Sequence, residues 1–127
     1  LHLLSRRQRQ MCIRDSSKIE LKNLSFKAPK VLEQAGIEYA MMTDHPVTPE
    51  QYLPICTAVA VREGASEEGA LKAITINAAK ITGIADRVGS IEVGKDADIA
   101  VFSGHPFDFR SRCVLTLVNG KVAHEEH

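Results

Sequence analysis

The chain has 127 residues, enough for one domain with a buried core, and its 44% apolar and 25% charged residues exclude a disordered, collagenous or disulfide-dense polypeptide. With six aromatic residues and no Trp, packing must rest on Ile, Val, Leu and Ala, and base-stacking surfaces for nucleic acid are not expected. The formal net charge of zero speaks against nucleic acid or an anionic membrane as partner, yet it is unevenly divided: the first thirty residues carry eight Lys and Arg against two acids, the rest eight against fourteen.

Half of the basic excess sits in residues 1–17, where neither a period of 2 nor one of 3.6 is sustained. Arg6, Arg7, Arg9 and Arg14 could form an arm that neutralises phosphates. The stretch SRRQRQMCIRDS, however, resembles a translated sequencing-adaptor tail, which makes residues 1–17 a non-native tail and the chain the back end of a longer protein. Cys12, Cys56 and Cys113 are odd in number and widely spaced, so neither a disulfide framework nor a zinc knuckle is expected. No run approaches the roughly 18 apolar residues of a membrane span. The expected setting is cytoplasmic, with no membrane partner.

Residues 27–35 read as a short helix closed by Gly36. Residues 37–43 (IEYAMMT) form a short apolar run, expected as a strand buried on both faces, which Asp44-His45-Pro46 ends. Thr48 and Gln51 predict a capping box with Pro49 at the first helical position. Tyr52, Ile55, Cys56, Val59 and Ala60 then predict one apolar face, Pro54 a kink, and Gly64 the stop. Helix, strand, polar loop, helix is a piece of an α/β repeat, in which the loop after the strand carries the chemistry. Asp44 stands at that strand end. His45 follows it and by itself reads as a loop residue.

Ser66 caps the next helix, with Glu67 and Glu68 in its first turn and Ala70, Leu71 and Ile74 as its buried stripe. Asn77 is expected to cap a short helix running to Thr82 and closed by Gly83. Periodicity then changes. Residues 88–95 and 99–102 read as strands, and residues 114–118 and 121–124 flank Asn119-Gly120, a hairpin signal. Gly89 and Gly94 serve turns, Asp96 and Asp98 stabilise the local turn, and His105-Pro106 belongs to a loop.

Residues 70–106, ALKAITINAAKITGIADRVGSIEVGKDADIAVFSGHP, resemble the C-terminal signature of metal-dependent amidohydrolases. The portion from Gly36 through TDHPVTPEQYLPICTAVAVREG is similar to the imidazolonepropionase-like branch, and the resemblance covers about residues 18–124. It implies an α/β fold: residues 18–87 as the C-terminal part of a (β/α)8 TIM-like barrel, with its last strand and outer helices, and residues 88–127 as part of a small composite β-sandwich. It also implies that Asp44 matches the aspartate at the end of the last barrel strand, which contacts the catalytic divalent metal, zinc as one or two ions, and handles protons on the hydrolytic water. His45 is carried as a candidate substrate contact.

The implied reaction is hydrolysis of a carbon–nitrogen bond other than a peptide bond, in a cyclic amide or related small molecule. A metal-bound water becomes acidic enough to ionise near neutral pH, and a carboxylate beside it can take its proton and pass it to the departing nitrogen. The family's His-x-His pair, its central lysine or glutamate ligand and its two later histidines have no counterpart in these 127 residues. The expectation is therefore a chain that binds catalytic metal poorly and is inactive by itself, and whose lone barrel strand favours aggregation. Homo-oligomerisation is left open, and related chemistries such as dipeptidase, deaminase or cyclic-ureide hydrolase are not separated. The rival expectation is a non-enzymatic α+β interaction module whose basic N-terminal arm contacts nucleic acid.

Overall fold

The computed structural model describes residues 25–126. Residues 1–17, read above as a non-native tail or a basic arm, lie outside them.

Among the described residues, four short helices come first. Helix α1 (Ala28–Gln34) carries a proline in its first turn, where a missing N–H costs nothing. Gly36, at φ +66°, closes it as expected: its N–H donates to the Glu33 carbonyl and that of Ile37 to the Leu32 carbonyl. A single 3-10 turn (Glu50–Tyr52) leads into α2 (Leu53–Arg62), followed by α3 (Glu67–Ala73) and α4 (Ile76–Thr82). Three strands complete the chain: β1 (Ile99–Phe102), β2 (Cys113–Val118) and β3 (Lys121–Glu125).

Residues 37–44 connect α1 to the 3-10 turn, and here the expected strand is corrected. The segment has no strand assignment, because no ladder pairs it with another strand among the described residues. Its backbone bonds run instead to the helices. The Met41 N–H donates to the Ala73 carbonyl at 3.0 Å, and the Asn77 side-chain amide donates to the Tyr39 carbonyl at 3.3 Å. Burial is one-sided rather than two-sided. Tyr39, Met41 and Thr43 are buried, whereas Met42 between the last two is 45% exposed. This period of 2 is that of extended backbone, with one face laid on the helices. Tyr39 and Met41 form the core with Ala60, Ala65 and Ala73, flanked by Leu32, Leu53, Cys56 and Ile74.

The expected capping box does not form. Pro49 is extended (ψ 142°) and no side chain caps the turn that follows. Pro54 has no N–H to give the Glu50 carbonyl, so the stretch before it closes as a 3-10 turn and the α-helix starts at Leu53. Pro54 thus lies in the first helical turn and is not an internal kink. The buried side of α2 keeps Cys56 and Ala60 from the expected face and adds Leu53 and Thr57, while Tyr52 and Ile55 are exposed. Thr57 is tolerated there because its hydroxyl donates to the Leu53 carbonyl at 2.7 Å.

Ser66 caps α3 as expected, its hydroxyl accepting from the Gly69 N–H at 2.9 Å. Ala70 and Ala73 are buried there, but Leu71 is exposed. Asn77 is no cap. It sits inside α4, buried, and Gly83 closes that helix as expected.

Residues 88–95, expected as a strand, form turns and bends. The Asp96 N–H donates back to the Arg87 carbonyl at 2.8 Å, and the two side chains pair at 2.6 Å, so the stretch closes on itself. Ile91 and Val93 consequently point into solvent. The remaining strands pair antiparallel in the order β1-β2-β3, Ile99 facing Leu117 and Val118 facing Lys121. Asn119 and Gly120 make the hairpin turn at φ 50° and 73°. Asp98 supports it by accepting from the Asn119 N–H at 2.8 Å, a structural role played across 21 residues and not in the local turn expected of it. His105 lies in a loop, its Nδ1 accepting from the Phe107 N–H.

Candidate active site

The segment bearing Asp44 is held from both sides in sequence. Before it, the Glu33 carboxylate at the end of α1 accepts from the Ser66 N–H at 2.8 Å and from the Ser66 hydroxyl, tying α1 to the start of α3. After it, the Thr48 N–H donates to the Asp44 carbonyl at 3.1 Å, turning the chain toward α2. The Met41 and Tyr39 bonds to α3 and α4 fix the middle. Asp44 therefore stands at the exit of an anchored segment.

Asp44 is half-buried, and its carboxylate makes no hydrogen bond or ion pair among the described residues. By the period of 2 it shares its face with Ala40 and Met42, opposite the buried Tyr39, Met41 and Thr43. Glu38, at the far end of the same face, is engaged by Lys80 at 2.6 Å. His45 is exposed, joined to Pro46 by a cis peptide bond, and its ring has no partner among the described residues. Asp44 and His45 are thus neighbours in sequence whose side chains have no partner among the described residues. No third His, Cys, Asp or Glu joins them: among the described residues there is no group of three such side chains that could hold a metal ion.

An open cleft of about 350 Å³ lies at the other end of the segment, lined by Glu33, Tyr39, Ser66, Lys72 and Asn77 among others. Burial, and then the nearby Glu33 carboxylate, push the Tyr39 phenol up to about 12, so it stays neutral. Asp44 does not line this cleft. Two connections here were missed in the sequence. Glu33 reaches Ser66 across 33 residues, and Asn77 reaches Tyr39 across 38, so no local pattern signals either.

A model of the amidohydrolase family matches residues 3–124. The imidazolonepropionase of Fusobacterium nucleatum is 41% identical over 78 residues, covering 59% of this chain and 19% of that protein. The imidazolonepropionase of Shewanella oneidensis is 33% identical over 107 residues, covering 75% of this chain and 26% of that protein. Among solved structures, an amidohydrolase from Thermotoga maritima superposes with a TM-score of 0.84 at 44% identity, over 87% of this chain and 29% of that one. The chain thus spans about a fifth to a quarter of the length of these two curated relatives. No helix of the described residues is long and apolar enough to cross a membrane.

Proposed function

The chain belongs to the amidohydrolase family, and on that premise we propose that the full-length protein carrying it hydrolyses a non-peptide carbon–nitrogen bond in a cyclic amide or related small molecule. The observation that carries this reading is Asp44: a carboxylate unpaired among the described residues, at the end of an extended, helix-anchored segment, within residues 3–124 that match the amidohydrolase family. The TM-score of 0.84 to a family structure supports reading residues 37–43, which lack a ladder partner among the described residues, as the last strand of a (β/α)8 barrel in the full-length protein, and β1 to β3 as part of a β-sandwich.

In this reading Asp44 acts by moving protons. It takes one from the attacking water as the water adds to the carbonyl carbon, then delivers it to the nitrogen so that the amine leaves neutral. With no ion pair among the described residues, its carboxylate is available to both steps. An open carboxylate also fits as one ligand of a divalent ion, which we take to be zinc. When bound, the ion supplies a more acidic water. A catalytic zinc takes about three protein ligands, so Asp44 and His45 alone do not make up a metal centre. Residues 25–126 by themselves should accordingly bind zinc weakly and turn over no amide.

His45 is proposed as a substrate contact at the rim of the site, since it is exposed and adjacent to Asp44. The test is Asp44→Asn in the full-length enzyme, which keeps the shape of the side chain and removes its basicity. Turnover should fall by at least about 10³-fold, general-base loss and disturbed positioning together, while the thermal midpoint stays within a few degrees. Full activity in Asp44→Asn removes Asp44 from the role.

A further inference from the structure

The segment that ends in Asp44 carries two consecutive methionines on opposite faces. Met41 is 5% exposed and lies in the core with Tyr39, Ala60, Ala65 and Ala73. Met42 keeps 45% exposure. Side chains two apart along extended backbone share a face at a spacing of roughly 6.5 Å, so Met42 is the side chain next below Asp44 on the face turned away from the helices.

We propose that Met42 is a positioning residue for Asp44: its side chain forms an apolar floor beneath the carboxylate and holds it in reach of the attacking water. This rests on the function proposed above. Among the described residues the Asp44 carboxylate has no hydrogen bond or ion pair, so within this segment packing is what bears on its rotamer. On the same face Ala40 offers a single methyl group, and Thr43 is buried on the other face. Met42 is thus the nearest side chain in the segment with the length to support Asp44. An unbranched thioether also suits the task, because it adapts to irregular gaps and offers no polar group to compete for the proton. Catalysis is sensitive to such support, since a misplacement of about 1 Å costs on the order of a hundredfold in rate.

The two methionines make a matched test in the full-length enzyme. Met42→Ala should lower kcat about tenfold and leave KM within about twofold, the signature of a lost transition-state arrangement rather than lost binding. Met42→Leu, which conserves volume, should restore kcat to within about threefold. Met41→Ala, on the core face, should lower the thermal midpoint and leave kcat of the folded enzyme unchanged. A wild-type kcat in Met42→Ala, a loss that leucine does not rescue, or an equal kcat loss in Met41→Ala each overturns the proposal while leaving the proposed function in place. A wild-type enzyme without amide turnover, or Asp44→Asn at full rate, removes the proposed function and this assignment with it.

Discussion

Replacing Gly69 with alanine should destabilise the helical layer, although Gly→Ala inside a helix ordinarily stabilises by about 0.5–1 kcal/mol. A Cβ at position 69 falls onto Oε1 of Glu33, 2.6 Å from its Cδ and 2.8 Å from Oγ of Ser66. The Glu33 side chain can swing away, but only by giving up the bonds it accepts from the Ser66 N–H and hydroxyl. Hydrogen bonds to a charged group contribute about 1.5–3 kcal/mol when sheltered, and solvent access here reduces that to about 1 kcal/mol each. Two bonds lost against the helix gain leaves a net loss of about 1 kcal/mol. The sign depends on the carboxylate. In a Glu33→Ala background the same Gly69→Ala change should stabilise by about 0.5–1 kcal/mol, and the small adjustment of the Ser66 hydroxyl cancels between the two backgrounds. Urea unfolding of the four proteins measures the cycle, and faster hydrogen exchange at the Ser66 amide in Gly69→Ala reports the broken tie. Equal stabilisation by Gly69→Ala in both backgrounds would refute the reasoning.

Asn77→Ala should cost about 1–3 kcal/mol in unfolding free energy, since it strips the buried Tyr39 carbonyl of its donor, and Asn77→Asp should be no milder because a carboxylate cannot donate. A neutral Asn77→Ala would mean that the Tyr39 carbonyl finds another partner. Asp108 is held down at about 2, first by hydrogen bonds from the Arg110 side chain and then by the Arg110 backbone N–H. Its pKa in the folded protein is below the ordinary 3.8, so the contribution of this pair is present above that value and is lost as pH falls through about 2. The loop over residues 105–110 should loosen in that window. A carboxyl-carbon NMR titration should show Asp108 near 2, moving back toward 3.8 in Arg110→Ala; an unmoved value would exclude the pairing.

What the sequence determined by itself is mostly local chemistry. Ser66 bonds the Gly69 amide three residues on, Gly36 and Gly83 end helices in left-handed turns, and Asn119-Gly120 closes a two-residue hairpin, because each depends on atoms only a few residues apart. The family was legible for the same reason, as an ordered series of short motifs. Local signals failed where a neighbour decides. Residues 37–43 have the composition of a buried strand, but a strand exists only with a ladder partner, and the described residues bind its backbone through Ala73 and Asn77 instead. Residues 88–95 alternate like a strand yet close on themselves through Arg87 and Asp96. On α2, Cys56 and Ala60 face inward as expected but Tyr52 and Ile55 do not, since which side of a helix is covered depends on the elements packed against it. Only the tertiary structure could separate Met41 from Met42, since their chemistry is identical and their faces are set by which side of an extended segment the helices cover.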